Sequence, residues 1–98
     1  MIELEQIYRR NENFVFRKIE GETILVPIRG NVEDLDAIYS LNATAALAWQ
    51  SLDGARSLKS VAALIAAEYE VAPDRAEADL LEFIREMASI DAVVLHHR

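Results

Sequence analysis

The sequence predicts an α+β domain. Three observations carry that expectation. Short runs of aromatic and β-branched residues, broken by glycine and polar clusters, occupy the N-terminal part. Apolar residues recur every three or four positions in the remainder. A chain of 98 residues has room for one core, so a single domain over residues 1–98 is expected.

The first two strands are "FVFRKI", residues 14–19, and "TILVPI", residues 23–28. Between them Glu20-Gly21-Glu22 reads as a reversal in which the glycine supplies backbone freedom, so the pair forms a hairpin. Pro27 has no N–H for a ladder, and its nitrogen must face away from a partner strand or lie near a strand end. Residues 29–36, "RGNVEDLD", read as a polar loop, and residues 37–41, "AIYSL", as a short third strand.

Three helices follow. Asn42 suits an N-cap for a helix running to about Leu52, which Asp53-Gly54 stops. Ala45, Ala48, Trp49 and Leu52 share one face of it. Ser57 caps a second helix with Leu58, Val61, Ile65 and Tyr69 in the same rhythm. The third starts around Pro73, at home in a first helical turn, or at a capping box made by Asp74 and Glu77. Its buried stripe is Leu80, Phe83, Ile84, Met87 and Ile90. After Asp91, "AVVLH" is a final short strand. The predicted order is therefore winged helix-turn-helix-like: three N-terminal β-strands, three α-helices and a short C-terminal strand. Helices of this length need tertiary burial, and Trp49 is expected to be the largest member of the core.

Composition narrows the function. A hydrophobic content of 52% with 28% charged residues fits a folded globular chain. With no cysteine, no disulfide framework or thiolate metal site is available, and a reducing, cytoplasmic location is expected. Apolar stretches such as residues 43–49, with Thr44 inside, fall far short of the ~20 residues that cross a bilayer, and the acidic start lacks the pattern of a secretory signal. No membrane association is expected. Seventeen acids against ten bases, a net charge of −7, disfavour nucleic acid, whose binding draws on basic side chains replacing phosphate counterions.

The chemistry of catalysis is thinly represented. There is no P-loop, dinucleotide fingerprint, Gly-x-Ser-x-Gly or His-Glu-x-x-His. His96 and His97 are sequence neighbours and point to opposite faces of a strand, which makes joint metal ligation awkward. Neither an enzyme nor a cofactor nor a metal is expected. A DNA-reading helix-turn-helix meets a similar objection. From Pro73 to Ile90 the acids Asp74, Glu77, Asp79, Glu82 and Glu86 outnumber Arg75 and Arg85, so this helix repels phosphate.

The stretch "LNATAALAWQSLDG", residues 41–54, resembles the Leu-Asn-x-Thr-Ala-x-x-x-Trp-x-x-x-Asp-Gly segment of the PqqD-like family of pyrroloquinoline quinone biosynthesis. Upstream, Arg17, Ile19, Gly21, Glu22 and "LVP" at residues 25–27 are similar to the family's first hairpin. Downstream, "EYEV" and Asp79-Leu80-x-x-Phe83-Ile84 are similar to its third-helix pattern. The likeness spans roughly residues 8–95, with Ala48 in place of a larger aliphatic residue and Ser60 in place of an acid as departures.

The resemblance implies a peptide-recognition domain, a RiPP recognition element. Such a protein binds the leader segment of a ribosomally made precursor peptide and presents it to a modifying enzyme, often a radical S-adenosylmethionine enzyme. In the family the leader adds as a strand beside the third strand, in a groove walled by the third helix. The corresponding site residues are Asp36, Ala37, Ile38, Tyr39 and Leu41 on the strand and Arg75, Asp79, Glu82, Phe83 and Glu86 on the helix. The residues themselves permit this: "LDAIYSL" carries neither Lys nor Pro, the usual guards of a strand edge. Two alternatives use the same elements, a winged-helix transcriptional regulator and a general dimerising module in which the edge pairs with its own copy. A monomer or weak homodimer is expected.

Overall fold

A computed structural model describes residues 2–28 and 38–97. Its elements are β1 (Ile7–Arg10), β2 (Phe14–Ile19), β3 (Glu22–Pro27), β4 (Tyr39–Leu41), α1 (Ala43–Ser51), β5 (Asp53–Ser57), α2 (Leu58–Tyr69), α3 (Pro73–Ser89) and β6 (Val93–Leu95). The strands form two small antiparallel sheets, β2-β3-β4 and β5-β1-β6. The architecture is thus α+β with three helices, placed where the apolar periodicity puts them.

Two strands lie outside the sequence expectation of three N-terminal strands and one C-terminal strand. Four strands precede α1, because "IYRR" forms β1, and a fifth, "DGARS", stands between α1 and α2. Only Ile7 and Tyr8 of β1, and no residue of β5, are β-branched or aromatic, so neither run is long enough in such residues to mark a strand. Both are strands because of what flanks them: β1 pairs with β5 on one side and with β6 on the other. Asp53-Gly54 does follow the end of α1, with Leu52 as C-cap, but the same residues open β5. The Asp53 carboxylate accepts the N–H groups of Ala55 and Arg56 at 2.9 and 3.0 Å, and these bonds hold its pKa below the ordinary aspartate value.

The caps explain much of the 41–54 stretch. Asn42 accepts the Ala45 N–H at 2.8 Å and the Thr44 hydroxyl at 3.0 Å, so Asn-x-Thr-Ala is a helix start. Ser57 caps α2 through the Ser60 N–H. At α3 the capping box of Asp74 and Glu77 is absent; Ala72 is the N-cap without a side-chain bond, and Pro73 opens the helix.

Core residues come from every layer. Leu25 of β3, Leu58 and Val61 of α2, and Leu80 and Ile84 of α3 are buried, and so is Leu52. Each such side chain contributes ~1.5–3 kcal/mol. Trp49 is 3% exposed and meets Phe14 edge to face with ring centroids 6.5 Å apart. The expected stripe of α3 is buried at Leu80, Ile84 and Met87 and half-buried at Phe83 and Ile90; Tyr69 of α2 is exposed.

The register of the β2–β3 hairpin decides which way each amide points. Glu20 and Gly21 form a two-residue loop with φ of 51° and 84°, the conformation of a type I′ turn. Ile28 donates its N–H to the Asn13 carbonyl at 2.7 Å. Every second pair from there, ending at Ile19 and Glu22, is therefore hydrogen-bonded. Thr23 and Leu25 lie between those pairs and turn their N–H and C=O groups the other way, to Leu41 and Tyr39 of β4. Pro27 falls on this same parity, opposite Phe14, so its nitrogen faces away from β2 as its lack of a donor demands.

Candidate functional site

On its far side β4 has no strand partner among the described residues. Since Tyr39 and Leu41 bond inward to β3, alternation sends the N–H and C=O of Ser40 outward. The expected strand began at Ala37; the described strand runs from Tyr39, with Ile38 just before it. Asp36 and Ala37, and the 29–36 loop, lie outside the described residues.

Beside β4 a groove of about 560 Å³ opens toward α3. Its floor is apolar: Leu41, Ala48, Ile65, Val71, Leu80 and Met87 line it. These residues arrive from five places in the chain, Val71 from the connection between α2 and α3. Leu41 closes β4, Ala48 is on the inner face of α1, Ile65 on that of α2, and Leu80 and Met87 belong to the buried stripe of α3. The groove is the seam where sheet and helices meet without filling the space between them.

The third helix supplies the wall. Alanine, leucine, isoleucine and methionine at positions 76, 80, 84 and 87 recur at helical spacing and turn inward. One step round the helix, Asp79, Glu82, Phe83 and Glu86 line the groove. The three carboxylates are exposed, while Phe83 is half-buried and packs against the core, giving the wall one apolar side chain among its charges. No Lys, Arg or His is among the described lining residues.

Eight of the ten sequence-expected residues fall on described positions, and seven of these meet at the groove: Ile38, Tyr39, Leu41, Asp79, Glu82, Phe83 and Glu86. Arg75 is the eighth and does not line it. Its Nε stands 3.4 Å from Asp79 Oδ2, one turn along α3, with both side chains largely exposed. Ile38 is 49% exposed, a large apolar side chain at the groove mouth.

Sequence reasoning missed Ser40, whose main chain faces the free edge, and Asn42, Thr44, Ala45 and Val71 along the rim and floor. The signal for Ser40 is the parity carried from the hairpin, which needs the β3–β4 register and cannot be had from composition. Among the described residues no group of three His, Asp or Glu side chains suited to a metal ion occurs, and no helix there is long and apolar enough to cross a membrane.

Comparison with known proteins gives two matches. The family model described as Coenzyme PQQ synthesis protein D (PqqD) matches residues 22–93. Among solved structures, "TbiB1 in Complex with the TbiA(beta) Leader Peptide" superposes with a TM-score of 0.68 at 22% identity, covering 87% of this chain and 93% of that one. None of the curated proteins matches.

Proposed function

Because this chain belongs to the PqqD family, we propose that it binds the leader segment of a ribosomally made precursor peptide and presents it to a modifying enzyme. The leader adds as a strand to β4 and rests its side chains in the groove under α3. One observation carries the reading: the outward N–H and C=O of Ser40 border an apolar-floored groove on the same side of the sheet edge. The similar fold of TbiB1 carries a leader peptide in its own structure, which supports the same use here.

The energetics suit a carrier. Main-chain bonds at Ser40 and Ile38, up to four at ~1 kcal/mol each, and two or three apolar anchors at ~2 kcal/mol each sum to about 8–10 kcal/mol. Ordering the peptide costs ~2–5 kcal/mol of that. The balance corresponds to micromolar affinity or weaker, from which a modified peptide can leave.

The receiving enzyme in this reading is a radical S-adenosylmethionine enzyme, the chain itself performs no reaction, and both work in the cytoplasm. The connectivity α1-β5-α2-α3-β6 is read as a winged helix-turn-helix framework, with a wall too acidic for DNA. Nuclear magnetic resonance titration with the leader segment of a candidate precursor peptide tests the proposal. Amide shifts centred on Ser40 and on 79–86 of α3 are the expected result. Saturable binding with shifts confined to β1, β5 and β6, or no binding, defeats it.

A further inference from the structure

We infer that the peptide this groove takes is basic on its helix-facing side, with Lys or Arg next to its apolar anchors. The inference rests on the strand-addition reading above and adds the charge of the substrate to it. Every charged residue among the described lining is a carboxylate: Asp79, Glu82 and Glu86. The hydrophobic floor below them accounts for apolar anchors, and nothing on the floor or on β4 offsets the wall, since Ile38, Tyr39, Ser40 and Leu41 are all uncharged.

The two bases of α3, Arg75 and Arg85, do not alter this, because neither lines the groove. Arg75 stands beside Asp79, outside the lining, and with 74% of its side chain exposed it screens that carboxylate without reaching Glu82 or Glu86. Glu82 and Glu86 are therefore the pair that selects. Four residues of helix rise ~6 Å, close to the ~6.6 Å between side chains on one face of an extended strand. A strand lying along α3 can set two cations, two residues apart, against these two carboxylates. An acidic peptide in the same place meets like charge, and arrangements of this kind reject wrong partners as much as they attract right ones.

Selection of a displayed library of random short linear peptides tests the inference without knowledge of the natural partner. Wild-type protein is compared with Glu82→Lys/Glu86→Lys and with Glu82→Gln/Glu86→Gln, all at exposed helix positions and all checked for helicity. Peptides enriched on the wild type are expected to carry Lys or Arg beside apolar residues. The Lys variant should enrich Asp and Glu instead, and the Gln variant neither. A basic wild-type peptide should bind the Lys variant about tenfold more weakly, with the difference shrinking as salt is raised. Equal charge composition in all three pools, from peptides that still shift the Ser40 amide, overturns the charge inference and leaves strand addition standing. Failure of all three proteins to enrich any peptide overturns strand addition, and the inference with it.

Discussion

Ser40 lies opposite Ile24 as a pair that exchanges no main-chain hydrogen bond. Ile24 spends its amide on Arg17 across the hairpin, and Ser40 therefore keeps its own for whatever comes to the free edge. Tyr39, one residue earlier, has the opposite assignment and is bonded to Leu25.

Proline separates these two roles. Ser40→Pro removes an outward donor and leaves the β3–β4 ladder intact, so peptide affinity is expected to fall at least tenfold with little change in thermal midpoint. Tyr39→Pro takes a donor from the ladder itself and is expected to lower the midpoint as well. Calorimetry and melting curves on the two variants check this; equal losses of affinity at unchanged stability contradict the assigned parity.

Phe83 and Ile84 are chain neighbours with different tasks. Ile84 is fully buried, and Ile84→Ala is expected to cost ~2–5 kcal/mol of stability in urea. Phe83→Ala, at a half-buried wall position, should cost less than that in folding while weakening peptide binding by ~1–2 kcal/mol. A Phe83→Ala variant with unchanged peptide affinity removes this ring from the contact surface.

The hairpin turn can be improved. Glu20 adopts φ of 51° ahead of Gly21, a conformation that asparagine accepts more readily than glutamate. Glu20→Asn creates the Asn-Gly pair favoured by type I′ turns and is expected to stabilise the protein by ~0.5–1 kcal/mol. A thermal midpoint at or below that of the wild type counts against the turn type.

Acid should unlatch the junction between α1 and β5. The Asp53 carboxylate is held below its ordinary pKa by the N–H groups of Arg56 and Ala55, with the Arg56 charge adding to them. A depressed folded-state pKa means that the contribution is present above the unfolded-state value and is lost as pH falls through the folded-state value. Stability is therefore expected to decline through the carboxylate range, and Asp53→Asn should flatten part of that decline. Urea titrations of both proteins at a series of pH values measure it; identical slopes rule out Asp53 as a contributor.

How much of this could be read from the sequence follows from where the signal is local. The helices and their caps were legible because Asn42, Ser57 and Pro73 announce starts and the apolar spacing announces faces. Trp49 and Ile84 stood out as core for the same reason. β1 and β5 were not legible: Arg9 and Arg10, or Gly54 and Arg56, are strand residues only because distant segments pair with them. The groove was half legible. Resemblance brought β4 and α3 together, but the contributions of Ala48, Ile65 and Val71 depend on how three helices stack around a gap, which no single segment encodes.

The place of β1 has a practical corollary. Tyr8 stands across from Leu95, so the polypeptide enters and leaves the domain side by side, and neither 2–28 nor 90–97 lines the groove. Such a unit can be spliced into a surface turn of a larger host protein by two short connectors with its docking cleft still open. The same adjacency suits it to circular permutation, with new ends cut elsewhere on the surface.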